Sequence, residues 1–239
     1  MDKTDPFSTT VPAPTANRPL LGLTVLVIED SRFACEAMRL LCLRSGARIR
    51  RADCLRSARR HLQVYRPTVV IIDLGLPDGN GVDLIQELSR AEPRVAVVLG
   101  TSGDSGGEDA AMLAGADGFL AKPITSLAEF QYAVLSNLPA ERQPLGLRSL
   151  TDEEILPDKM AFQDDIAHIA DVLDDTRDDR ALDYVAQFLS GVARSAKDSP
   201  LEQAADALAR KRAAGEPAGS ETAELAGLIQ QRLTQKIAI

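Results

Sequence analysis

Residues 69–81 read VVIIDLGLPDGNG. Four apolar residues, Val69 to Ile72, run straight into a lone carboxylate, Asp73, and the chain then breaks into glycine, proline and aspartate. A short unbroken apolar run bounded by turn residues is the pattern of a strand buried on both faces, the kind found in parallel sheets covered by helices. A charge at the end of such a strand stands at the edge of the sheet. What keeps Asp73 company at that edge decides the reading of the chain.

Working outward, LTVLVI (23–28), TVVII (68–72), VAVVL (95–99) and GFLA (118–121) are short and apolar, and ARIRRA (47–52) is a weaker strand of the same length. Between and after them, FACEAMRLLCLRSG, CLRSARRHLQVY, GVDLIQELSRAE, EDAAMLAGA and SLAEFQYAVLSNL carry apolar residues at helical spacing. Five strands alternating with five helices need crossover connections, hence a parallel sheet with helices on both faces. Residues 1–20, acidic and then rich in Ser, Thr and Pro, are expected to form a disordered tail before an α/β domain over 21–139. A linker follows at 140–157, marked by PAERQPLGLRSL. Residues 158–239 show four helical stretches, 158–175, 178–197, 199–214 and 219–237, and no strand, which predicts an all-α four-helix domain.

The composition narrows the function. At 239 residues with 45% hydrophobic content the chain can bury a core. No apolar run reaches the roughly 20 residues of a membrane span and the N-terminus lacks a basic-then-apolar leader, so a cytoplasmic protein without membrane contact is expected. Residues 151–239 hold 10 Lys+Arg against 18 Asp+Glu and carry the whole net charge of -8. An acidic second half argues against nucleic-acid binding, which needs clustered basic residues. Cys35, Cys42 and Cys54 lack metal-ligand spacing and read as buried thiols. The arginines from Arg44 to Arg60 read as a solvated face or part of a partner surface, and His61 as structural.

In an open parallel sheet the carboxyl ends of the strands share one edge, and ligands bind there. The first strand ends in Glu29 and Asp30 and the third in Asp73, so three carboxylates converge. Unpaired, they would repel and raise one another's pKa. A divalent cation resolves that conflict, and hard oxygen ligands suit Mg2+. After the fifth strand, Lys122 is the one lysine between Lys3 and Lys159. A compact ammonium pairs with a single carboxylate or phosphoryl oxygen, where arginine favours bidentate contact. Pro123 behind it is a candidate for a cis bond. Helix capping accounts for Asp30 alone, not for all four charged residues.

These ordered motifs resemble the receiver domain of two-component response regulators: Glu29–Asp30, Asp73 with Pro77 and Gly81 in its loop, AGADGF, and Lys122–Pro123. The resemblance implies a flavodoxin-like (βα)5 doubly wound sheet of strand order 2-1-3-4-5. It implies that Asp73 accepts a phosphoryl group from a sensor histidine kinase or a histidine phosphotransfer protein, and that Glu29, Asp30, Asp73 and the Gly75 backbone carbonyl hold Mg2+. Lys122 would pair with Asp73 and then with the phosphoryl group. The chain would be a signalling phosphoprotein and not an enzyme, beyond accepting and slowly losing its own phosphoryl group. The switch hydroxyl position falls on Gly100, with Thr101 next to it, and the aromatic switch position on Phe119. A haloacid-dehalogenase-type phosphatase would need a second aspartate where the chain has Gly75, and GTSGDSGG lacks the lysine of a phosphate-binding loop.

Within YVAQFLSGVARSA the helical half bears a weaker resemblance to histidine phosphotransfer domains, whose active helix reads H-x-L-K-G-x-A. Leu189, Gly191 and Ala193 match, while Gln187 stands where the phosphorylated histidine would be and Ser190 replaces the lysine. Gln187 cannot carry a phosphoryl group, which leaves a binding or dimerisation bundle; generic small-residue packing reads equally well. His168 has no motif around it and reads as a half-buried helix-face histidine. The expectation is a phosphoaccepting regulator acting through protein contacts on an unidentified downstream protein, with a homodimer left open. A pseudo-receiver scaffold and a phosphate sink are the alternatives.

Overall fold

The computed structural model describes residues 13–144, 153–175 and 179–234. Its central sheet runs β2–β1–β3–β6–β7, all parallel: β1 (Thr24–Ile28), β2 (Arg48–Ala52), β3 (Val69–Asp73), β6 (Val97–Ser102) and β7 (Gly118–Ala121). Counting sheet strands alone, this is the expected 2-1-3-4-5 order. Two-residue strands β4 (Gly75–Leu76) and β5 (Gly79–Asn80) form a small hairpin in the loop that leaves β3.

Helices cover both faces because the apolar side chains of the strands alternate. On one face, Val25, Val27, Val69, Ile71 and Leu99 pack against α1 (Arg32–Ser45) and α5 (Leu127–Leu135). On the other, Leu26, Ile28, Val70, Ile72 and Val98 pack against α2 (Leu55–Val64), α3 (Gly81–Ser89) and α4 (Gly107–Ala114). The two central apolar strands, β1 and β3, are almost wholly buried, whereas β2 at the edge exposes Arg48, Arg50 and Arg51. Ser31 is the N-cap of α1, its hydroxyl accepting from the Ala34 N–H, so capping is not the task of Asp30.

The second half holds α6 (Lys159–Asp175), α7 (Asp179–Ser195), α8 (Ser199–Ala213) and α9 (Gly219–Thr234). Each packs on the next and α9 returns to α6, around Ile166, Ile169, Val185, Leu189, Leu208, Leu225 and Ile229. Asp198 caps α8 and is clamped by Arg232 of α9 at 2.6 Å. Among the described residues no helix is long and apolar enough to cross a membrane.

Several boundaries differ from the sequence reading. The proposed tail ends earlier than residue 20: Leu20 is fully buried and its N–H donates to Ser45 O, because an apolar side chain at that point closes the base of the sheet. Residues 1–12 lie outside the described residues. The linker's last part is fastened to the α/β domain, where Leu127 N–H donates to Glu153 O, Ile155 N–H donates to Thr125 O, and Ile155 is buried. Residues 145–152 of the linker lie outside the described residues. Cys35 and Cys42 are buried but Cys54 is only half-buried, since it precedes α2 at a loop. His168 is exposed, not half-buried, and meets Phe188 edge-on.

Candidate functional site

Parallel register assembles the site. Ile28 pairs with Ile72, so Glu29 leaves β1 beside Asp73, the last residue of β3; Ser102 pairs with Ala121, which brings Lys122 to the same edge. The Lys122 ammonium stands 2.7 Å from Glu29 Oε2 and 2.9 Å from Asp73 Oδ2. Glu29 and Asp73 are buried and Asp30 is half-buried. The peptide between Lys122 and Pro123 is cis.

One ammonium faces three carboxylates, and the imbalance shows in their proton affinities. Burial holds the Glu29 carboxyl well above its ordinary range; Lys122 opposes the rise, while Asp73 and Asp30 add to it. Burial, reinforced by the charge of Asp73, pushes Asp30 up to about 6. Burial also works against the charge on Lys122, but Asp73 and Glu29 outweigh it and hold its pKa above the usual lysine value. Glu29 Oε2 is buried and held by the Lys122 ammonium at 2.7 Å, while Oε1 accepts from the Ser31 N–H at 3.2 Å.

Oxygens of Glu29, Asp30 and Asp73 lie within 4.8 Å of one another. Six-coordinate Mg2+ with bonds of about 2.1 Å spaces its ligand oxygens at about 3 to 4 Å, a spread these carboxylates fit with water completing the shell. All-oxygen donors and three carboxylates against one ammonium make this cluster one that could hold a hard divalent cation. Gly75 lines the same cavity, next to Asp73, whose Oδ1 accepts from the Gly75 N–H at 3.4 Å.

The expected switch positions lie on β6, next to β3, and on β7, next to β6. Thr101 pairs with Asp73 across β3 and β6, which sets the two on the same face of the sheet; it is buried and its hydroxyl donates to Leu120 O at 2.7 Å. A Cβ at Gly100 would come 2.6 Å from Ala111 Cβ, which leaves no room for a larger side chain under α4. Phe119 is half-buried and packs near Gly100 and Gly107, away from the cavity. Ser102 lines the cavity together with Ser31, Ser190 and Ser195, and its hydroxyl accepts from the Asp104 N–H at 3.1 Å. β6 runs to residue 102, three residues past the expected end, and strand alternation assigns Thr101 to the face of Asp73 and Ser102 to the other.

The helical half contributes the rest of the cavity. Tyr184 of α7 donates its hydroxyl to Asp30 Oδ2 at 2.8 Å; burial, then the charge of Asp30, hold its pKa above the usual phenol value, so it stays a donor. Gln187 Nε2 donates to Asp104 Oδ2 at 3.2 Å and lies over Gly75, where a Cβ would come within 2.7 Å of it. Arg194 Nη1 donates to Gly103 O at 2.6 Å. From α6, the buried carboxylate of Asp165 accepts from Ser31 Oγ (2.7 Å), Arg32 N–H (2.8 Å) and Phe33 N–H (3.0 Å), satisfying the first turn of α1. Tyr184, Gln187, Gly191 and Arg194 recur at i, i+3, i+7 and i+10, a single stripe of α7. That spacing was the available signal.

Residues 25–134 match the family described as the response regulator receiver domain. Among curated proteins, the chain is 32% identical over 99 residues to the KDP operon transcriptional regulatory protein KdpE of Escherichia coli, covering 41% of this chain and 44% of that one. It is 34% identical over 119 residues to the transcriptional regulatory protein KdpE of Mycobacterium tuberculosis, covering 48% and 53%. The chain thus spans about half the length of the curated relatives it matches. A crystal structure of a response regulator from Chloroflexus aurantiacus is 26% identical with a TM-score of 0.46, covering 48% of this chain and 96% of that one.

Proposed function

We propose, from the premise that residues 25–134 form a response regulator receiver domain, that Asp73 accepts a phosphoryl group from a phosphohistidine-bearing protein and that the helical half relays the result through protein contacts. The observation that carries this reading is the ammonium of Lys122 set between Glu29 and Asp73, with Asp30 completing a cluster of cation size.

A carboxylate attacks an anionic phosphoryl donor poorly unless charge is neutralised and the reacting atoms are held in line. An Asp73 oxygen forms the new bond to phosphorus as the phosphorus–nitrogen bond of the donor breaks, its electron pair returning to the imidazole. Lys122 fixes the other Asp73 oxygen and stands ready to meet the phosphoryl oxygens. Glu29, Asp30, Asp73 and the Gly75 carbonyl would hold Mg2+, which supplies the remaining charge neutralisation when bound. Thr101, beside Asp73 in the sheet, and Ser102, in the cavity lining, are the candidate hydroxyls for meeting the phosphoryl group.

The test is incubation of the full chain with Mg2+ and a small phosphodonor, followed by assay for an acid-stable, base-labile adduct. Asp73→Asn should remove it. A wild-type chain that forms no adduct, or an Asp73→Asn chain that forms as much, would leave the constitutive scaffold as the reading to take up.

A further inference from the structure

Transfer to Asp73 requires the entering carboxylate oxygen and the departing nitrogen to flank phosphorus in line. The donor's imidazole must therefore stand beyond the phosphoryl group, over the mouth of the site. That place is filled. Asp73 is only 6% exposed, and the cavity left over the carboxylates, walled by Gln187, Ser190 and Arg194 of α7, is about 40 Å3. Such a space holds a few waters or a hydrated ion, not a ring carried on a helix. The contacts that keep α7 there come from three separate parts of the receiver: the Asp30 carboxylate, the loop after β6 at Gly103 and Asp104, and the first turn of α1 through Asp165 of the neighbouring α6.

We infer that α6 and α7 occupy the surface on which a phosphohistidine-bearing helix must dock, so that the chain's own helical half and its phosphodonor compete for one face of the receiver. The inference rests on Asp73 being the phosphoacceptor. Gln187 is exposed in mid-helix and is the side chain α7 lays over Gly75, at the position where the sequence resembles a phosphodonor helix without its histidine. The occupant therefore fills the docking face and has nothing to transfer. Being tethered, it acts at a high effective concentration, and a donor's apparent affinity falls by the fraction of molecules in which α7 is seated.

The experiment compares the full chain with Gln187→Glu and Arg194→Ala. Gln187→Glu sets a carboxylate against Asp104 and repels the docked helix; since Gln187 lies outside the bundle core, the bundle itself is left intact. Two readouts are taken. One is the initial rate of adduct formation with Mg2+ and phosphoramidate, a small donor with a phosphorus–nitrogen bond. The other is the rate at which iodoacetamide alkylates an Asp73→Cys chain, followed at that peptide by mass spectrometry. Both rates are expected to rise on the order of tenfold with either substitution, equivalent to about 1.4 kcal/mol of docking lost. Alkylation that rises while no chain forms an adduct would refute the phosphoacceptor reading and keep the covering helix. Alkylation as fast in the parent Asp73→Cys chain as in the substituted ones would overturn the competition.

Discussion

The strand edge and the α7 face meet at the same cavity, yet they are built on opposite terms. At the strand edge, register alone brings Glu29, Asp73 and Lys122 to within 3 Å contacts, buried and short of positive charge. On α7 the contacting groups are neutral or singly charged, half-buried or exposed, and spend their hydrogen bonds on the loops after β1 and β6. The first arrangement stores electrostatic imbalance for a ligand to relieve. The second is a seat that can be left, because water can replace each of its bonds.

The hardest blow to that contrast is Lys122→Met. It leaves Glu29 and Asp73 buried side by side with no counter-charge, and breaking a buried pair in this way costs about 3–5 kcal/mol. Urea denaturation should show that loss without Mg2+ and a smaller one with it. Losses equal in the two conditions would mean that the carboxylates hold no cation. A gentler probe is Mg2+ itself on the wild type. At about ten times its dissociation constant a ligand specific to the folded state adds about 1.4 kcal/mol, and Asp30→Asn should weaken the response. The thermal midpoint reports it, and a midpoint as responsive in Asp30→Asn as in wild type would remove Asp30 from the metal site.

How much was legible follows the same division. The four charged residues could be read because short unbroken apolar runs fix where a strand ends and strand ends in a parallel sheet share one edge, while the strand order came with the resemblance to receiver domains. The hydroxyls could not, since only the three-residue extension of β6 sets Thr101 beside Asp73 and brings Ser102 to the cavity wall. Nor could Asp165 be assigned: one carboxylate among many in an acidic helix, it is singled out only by the α1 turn it meets. Tyr184 and Arg194 lay on a readable stripe, but amphipathic spacing names a contacting face without naming what it contacts.

The smallest effect tests whether the helical half owes any stability to charge. Asp198 caps α8 and accepts from Arg232 at 2.6 and 2.9 Å, and that hydrogen bond leads the causes that hold its carboxyl below the usual range. A depressed carboxyl pKa contributes stability that is present above the unfolded value and is lost as the pH falls through the folded one. The pair is partly open to solvent, so its contribution is about 0.5 kcal/mol. Asn serves as well as Asp at an N-cap, so Asp198→Asn removes the charge and keeps the cap. Wild type should exceed the variant by that margin at pH 7, and the two should converge once the pH drops below the folded pKa. A gap that stays constant across the range would assign the contribution to geometry, leaving the strand edge as the place where charge governs this molecule.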